Sequence, residues 1–146
     1  MKKRTFNLVA LAMVMGNLHS FASEAKDIEF QIQGINSNKG KLYVQLFKGQ
    51  EGYKNGQAVN ASIVNAQKGE AKIMFSVIEA GEYAIRFFHD ENDNGKLETN
   101  MFGMPTEGYG YSNSAKPNFG PATYQQIKFN VPTGAQKVVN KTQVIY

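Results

Sequence analysis

The chain has no cysteine. That excludes a disulfide-stapled scaffold, a thiol nucleophile and any thiolate metal centre, and it removes the residue on which a lipoprotein anchor is built. Histidine is nearly absent as well. Of the two, His19 lies in the N-terminal segment, so His89 is the single candidate for imidazole chemistry in the remainder. No Gly-x-Ser-x-Gly, His-Glu-x-x-His or phosphate-loop sequence occurs, so the usual signatures of nucleophilic, zinc and nucleotide chemistry are missing. No apolar run is long enough to cross a bilayer as a helix, and no segment keeps a helical period of apolar residues over several turns.

What is present begins with an export signal. Lys2, Lys3 and Arg4 precede an apolar run over residues 6–15, and Ser20-Phe21-Ala22 supplies a small-x-small site. We expect residues 1–22 to be a signal peptide cleaved after Ala22, leaving 23–146 as one domain, exported to the periplasm or secreted, with no stable membrane anchor. That segment carries 13 Lys and Arg against 12 Asp and Glu. The pI of about 9.2 therefore belongs to the precursor, and no basic excess or cluster points to nucleic acid. A domain of this length can bury a sufficient core without cross-links.

Short alternating segments dominate. Ile28, Phe30 and Ile32 alternate with polar residues, and Leu42, Val44 and Leu46 alternate likewise, with Tyr43 and Phe47 on the other face. Ala71, Ile73, Phe75 and Val77 repeat the pattern, as do Ile127, Phe129 and Val131. Period-two alternation is the mark of a strand with one buried face. Residues 83–89 read as a central strand buried on both sides, 137–146 as a last strand and 58–64 as a weaker one. Turn chemistry in Asn36-Ser37-Asn38-Lys39-Gly40, Lys68-Gly69-Glu70 and Glu79-Ala80-Gly81-Glu82 suggests three hairpin turns. The expected fold is all-β: an antiparallel β-sandwich of about seven strands, immunoglobulin-like or prealbumin-like, with one long ordered loop over about 90–123.

That loop opens on Asp90-Glu91-Asn92-Asp93-Asn94-Gly95-Lys96-Leu97-Glu98. Oxygen-bearing side chains at alternate positions followed by glycine form the first half of a D-x-[DN]-x-[DN]-G calcium loop. Calcium is a hard cation that takes several oxygens at once, and alternate spacing lets one turn aim them inward. The expected ligands are the side chains of Asp90, Asn92 and Asn94, the Lys96 carbonyl and Glu98. Position twelve is Met101 rather than a bidentate glutamate, which argues against a helical EF-hand. The competing reading is a plain solvated turn, because Asp, Asn and Gly are what any turn prefers. Further along, Met101, Phe102, Tyr109, Tyr111 and Phe119 are expected to pack onto the sandwich. His89, Glu107, Tyr109 and Tyr111 form a candidate ligand surface, since tyrosine offers a flat apolar body with a polar tip. Arg86, mid-strand, is either an exposed edge residue or a partner for a loop carboxylate such as Glu107.

The ordered series Gly81-Glu82-Tyr83-Ala84-Ile85, His89-Asp90-Glu91-Asn92, Asn94-Gly95-Lys96-Leu97, Phe102-Gly103-Met104-Pro105 and Glu107-Gly108-Tyr109-Gly110-Tyr111-Ser112-Asn113 resembles an uncharacterised bacterial secreted family, the domain of unknown function 2141 family. The resemblance covers about residues 34–146. It implies an exported single β-domain and brings no biochemical activity with it. The strand running into the Asp/Asn loop is also similar to surface-protein B-type repeats, in which such a loop ends in a calcium site.

Three function classes fit the residues. The first is a non-enzymatic binding or structural module with a calcium-ordered loop, its partner a protein, peptide or glycan. The second is a hydrolase-like enzyme using His89, Asp90 and Glu107 as an acid–base cluster. The third is a small outer-membrane β-barrel, suggested by an alternating last strand ending in Tyr146 and opposed by strands shorter than a bilayer needs.

Overall fold

The computed structural model describes residues 26–77 and 79–146; the expected signal peptide lies outside the described residues. Eight strands run in the order β1 (Lys26–Ile35), β2 (Lys41–Lys48), β3 (Ala58–Asn65), β4 (Gly69–Val77), β5 (Gly81–Asp90), β6 (Gly108–Tyr111), β7 (Phe129–Val131) and β8 (Lys137–Gln143). Two short helices, α1 (Gly49–Lys54) and α2 (Tyr124–Ile127), interrupt them. Both are far too short to leave an apolar period in the sequence, and Ile127 belongs to α2 rather than to the expected strand.

The strands form two open sheets, β4-β1-β8 and β3-β2-β5-β6, with β7 also paired to β5. Two sheets facing each other make a sandwich, and among the described residues no closed ring of the kind a membrane barrel requires is formed. Alternation decides which residues meet between the sheets. Ile28, Phe30 and Ile32 of β1 and Leu42, Val44 and Leu46 of β2 are all at most 1 % exposed. Phe30 and Phe87 pack edge to face across the gap, centroids 5.8 Å apart at 68°. Burying each such side chain contributes roughly 1.5–3 kcal/mol.

Three expectations need correction. The turns at 36–40, 68–70 and 79–82 do not close hairpins; each carries the chain from one sheet to the other. Asn, Gly and Lys suit any reversal, and pairing is settled by which partner buries a strand's apolar face, not by the turn. Second, β8 runs parallel to β1, from Asp27 opposite Lys137 to Gln33 opposite Gln143. The chain leaves β7 beside Gly81 and enters β8 beside Asp27, at the end of β1 where Val77 also lies. From there the free edge of β1 can only be followed in parallel. Third, Met101, Phe102 and Phe119 do not pack onto the sandwich; they are 90, 81 and 108 % exposed.

Strand β6 lies inside the segment that showed no convincing strand. Its core-facing positions are Gly108 and Gly110, so no apolar side chain betrays the alternation. A methyl group on Gly110 would lie 2.6 Å from the Phe87 ring and 3.2 Å from the Gln143 carbonyl oxygen. On Gly108 it would meet Tyr146 at 2.5 Å and Val144 at 2.8 Å. The glycines are therefore read from space, not from backbone angle. Gly110→Ala is expected to lower stability by about 1–3 kcal/mol through overpacking, measured as a shift in urea midpoint at unchanged slope; an unchanged midpoint would show that β6 does not sit this close to Phe87.

Candidate functional site

The Asp/Asn loop leaves the end of β5 at Asp90, which is fully buried. Its two carboxylate oxygens accept the backbone N–H groups of Asn94 at 3.0 Å and Gly95 at 2.7 Å. Asn92 Oδ1 accepts the same Asn94 N–H at 3.1 Å, and Asn94 Oδ1 accepts the Lys96 N–H at 2.9 Å. Asn94 Nδ2 donates to Glu98 Oε1 at 2.9 Å. Asp93 and Gly95 have φ of 64° and 77°, the left-handed angles that let the chain double back. Asp90, Asn92, Asn94 and Glu98 are thus gathered in one turn, with Lys96 contributing its N–H.

Glu107, 6 % exposed, braces the turn from outside. One of its oxygens accepts the Glu91 N–H at 3.0 Å, and the other accepts the Glu98 N–H at 3.1 Å. It thereby ties both ends of the loop to the start of β6. The turn before β2 presses on the other side: Gly40, at φ 67°, leaves space for the Asp90 carbonyl oxygen, which a side chain would meet at 1.7 Å. Lys41 pairs with Asp93 at 2.7 Å, both partly exposed. That hydrogen bond raises the Lys41 pKa, but surface pairs of this kind stabilise little. Among the described residues, no three His, Cys, Asp or Glu side chains gather as a metal-holding group. A cation here would depend on the asparagine oxygens and the backbone beside the buried Asp90 carboxylate.

His89 belongs to a different place. It alternates with Asp90 along β5 and faces the opposite side of the sheet, directly across from Leu42. Its Nε2 lies 2.7 Å from the Lys39 carbonyl oxygen and its Nδ1 lies 2.9 Å from the Tyr146 hydroxyl. A carbonyl can only accept, so Nε2 carries a proton toward Lys39, and in the neutral ring Nδ1 accepts from the Tyr146 hydroxyl. The Tyr146 oxygen in turn accepts the Asn36 N–H at 3.0 Å. The histidine therefore joins the first turn of the fold to its last residue. His89, Asp90 and Glu107 share no hydrogen bond, so the acid–base cluster is not assembled.

Tyr109 and Tyr111 stand on the outer face of the five-stranded sheet, ring centroids 6.2 Å apart and edge to face. Register places Tyr43, Phe88 and Tyr109 on one rung and Gln45, Arg86 and Tyr111 on the next. Tyr43 and Phe88 stack at 4.9 Å and 6°. Together these residues floor a groove of about 310 Å³, walled by Leu97 from the Asp/Asn loop and by Tyr53 and Pro121 opposite. The sequence reading of the ligand surface thus splits: Tyr109 and Tyr111 line the groove, while His89 and Glu107 are buried struts. It missed Tyr43, Tyr53 and Phe88. The signal was available in aromatic residues at the outward positions of β2 and β5, where a solvated face would carry polar ones. Arg86 takes neither expected role: it is half-buried, its Nε donates to Gln45 Oε1 at 2.8 Å, and its guanidinium carbon lies 4.9 Å from the centre of the Phe47 ring.

The far wall is pinned from below. Ser112, fully buried, accepts the Ile85 N–H at 3.0 Å and donates to the Ile127 carbonyl. Asn113, at φ 63°, exchanges hydrogen bonds with Asn140 at 2.9 and 2.7 Å and donates to the Gln126 and Lys128 carbonyls. Burial raises the pKa of both Tyr53 and Tyr111 above the usual phenol value, so both phenols stay uncharged at neutral pH. Glu107→Gln would turn an amide N–H against one of two backbone N–H groups, and is expected to cost about 1–3 kcal/mol in chemical denaturation. Hydrogen exchange at Glu91 and Glu98 should accelerate with it; unaltered exchange at both would contradict the bracing role.

A family profile described as "Uncharacterized protein conserved in bacteria (DUF2141)" matches residues 30–140. No curated protein and no solved structure matches the chain.

Proposed function

The chain belongs to the DUF2141 family, and on that premise and the site geometry we propose that it is an exported, non-enzymatic binding module whose Asp/Asn loop is ordered by calcium. The observation that carries the reading is Asp90: a fully buried carboxylate at the root of the loop that meets only N–H groups. Burying a carboxylate is costly unless its charge is compensated. Two backbone hydrogen bonds offset part of that cost, and each oxygen keeps a lone pair for a cation. Asn92, Asn94 and Glu98 stand within the same turn, and oxygen-rich sets of this kind suit calcium rather than a softer metal. The ligand number is small, which fits a weak site filled in a calcium-rich exterior. The sandwich would then act as scaffold, holding the loop and the tyrosine-lined face beside it for a protein, peptide or glycan partner.

An ion that binds only the folded form stabilises it by mass action. Calcium at ten times its dissociation constant is expected to add about 1.4 kcal/mol, a rise of roughly 4–6 °C in Tm for a domain of this size. Melting in EDTA, in millimolar calcium and in millimolar magnesium measures it. The rise should be specific to calcium and absent in Asp90→Asn; equal melting in EDTA and calcium, or the same rise in that variant, would dispose of the ion. Export predicts a separate outcome: intact-mass analysis of the protein released from the cell should place its first residue at Ser23, and retention of residues 1–22 would refute cleavage.

A further inference from the structure

Arg86 is the only arginine in the chain after residue 4; every other basic side chain beyond it is lysine. It stands in the middle of β5, half-buried on the floor of the outer groove. Among the described residues no carboxylate lies within ion-pair distance of it. Its Nε is held by the neutral Gln45 amide, and its plane lies over Phe47. The nearby loop carboxylates are already committed: Asp90 to Asn94 and Gly95, Glu107 to Glu91 and Glu98. Two contacts therefore orient a guanidinium whose terminal N–H groups have no anion to meet. A planar fork of that kind is complementary to a carboxylate, which it can bind through two parallel hydrogen bonds.

The surroundings narrow the ligand further. Successive outward residues on a strand are about 6.6 Å apart, and the floor is two rungs long before Leu97 closes one side and Tyr53 with Pro121 the other. A volume of about 310 Å³ lies at the small end of ligand pockets. That is room for a single ring and not for an extended chain. Tyrosine faces provide flat apolar contact, while the Tyr43, Tyr109 and Gln45 tips supply hydroxyl and amide groups around it. A ring bearing both apolar C–H faces and peripheral hydroxyls uses both features; a purely aromatic acid uses only the first.

We propose that this groove binds the uronate ring of an acidic saccharide, with Arg86 pairing the carboxylate and the tyrosines, Tyr109 foremost, holding the ring. The inference deepens the binding-module reading and rests on that part of it, not on the ion.

Glucuronate and glucose differ only in the carboxylate, so titrating both against the full-length protein by ligand-observed NMR separates charge recognition from ring stacking. Glucuronate should bind about tenfold more tightly than glucose, the worth of one charge-assisted hydrogen bond. Arg86→Gln should abolish the preference, Arg86→Lys should keep part of it, and Tyr109→Ala should weaken both sugars together. If Arg86→Gln fails to fold by circular dichroism, the lysine and Tyr109 variants decide. Benzoate serves as the aromatic control. Equal or no binding of the two sugars, a preference that survives in Arg86→Gln, or benzoate bound more tightly than glucuronate would each overturn the proposal. The titration is run in EDTA and in calcium, with melting followed separately, so a failed groove and a failed ion site give different results.

Discussion

The constraint on which the structure turns is that β5 must use both of its faces. Tyr83, Ile85, Phe87 and His89 point into the sandwich, while Ala84, Arg86, Phe88 and Asp90 point out. The strand is paired on both edges, by β2 on one side and by β6 and β7 on the other. A slip of one residue would exchange the two sets. It would bring Arg86 into the apolar layer against Phe30 and carry Phe87 out of it. The register is therefore strongly specified, and the positions of the core, the groove and the Asp/Asn loop follow from it together.

Polar side chains complete what apolar packing leaves open. The inner face of β8 presents Asn140 and Thr142 where its neighbours present Phe30 and Ile32. Thr142 donates to the Tyr111 carbonyl at 2.6 Å, and Asn140 pairs with Asn113. These bonds join the three-stranded sheet to the end of β6 and the segment that follows it. Leaving such groups unmade in a buried site costs more than the bonds contribute when formed, so the stitches fix one arrangement of the chain. The same economy governs the far end of β5. There Glu107 satisfies two N–H groups of a loop that has no strand to satisfy them, and His89 links Lys39 to Tyr146.

This distribution bears on function. The residues that look most chemical in isolation, His89 and Glu107, are spent on holding the scaffold. Those that look bland, Tyr43, Gln45 and Phe88, face outward beside Arg86. A rigid sheet whose exposed face is aromatic is suited to recognition, because its groups are held in place before a ligand arrives and little order is lost on binding. Proximity of the Asp/Asn loop matters in the same way: Leu97 is at once part of that turn and part of the groove wall.

Much of this was legible in the chain. Alternation at Ile28, Leu42 and Ile73 announced strands with one buried face, and adjacent Phe87 and Phe88 announced a central strand over 83–89, whose outward Arg86 and Phe88 are only half-buried. The Asp90 to Glu98 spacing announced a tight oxygen-lined turn, because such spacing is a local property. Tertiary structure decided the rest. It set β8 parallel to β1, sent three turns between sheets rather than around hairpins, and raised a strand from Gly-Tyr-Gly-Tyr, whose inward positions are filled by rings from β5 and the C-terminus. It also parted His89 from Asp90 and assembled a groove from residues up to 78 positions apart. The physical reason is the same throughout: periodicity and turn chemistry act over a few residues, whereas pairing, sheet assignment and the meeting of side chains depend on which distant surfaces exclude water from one another.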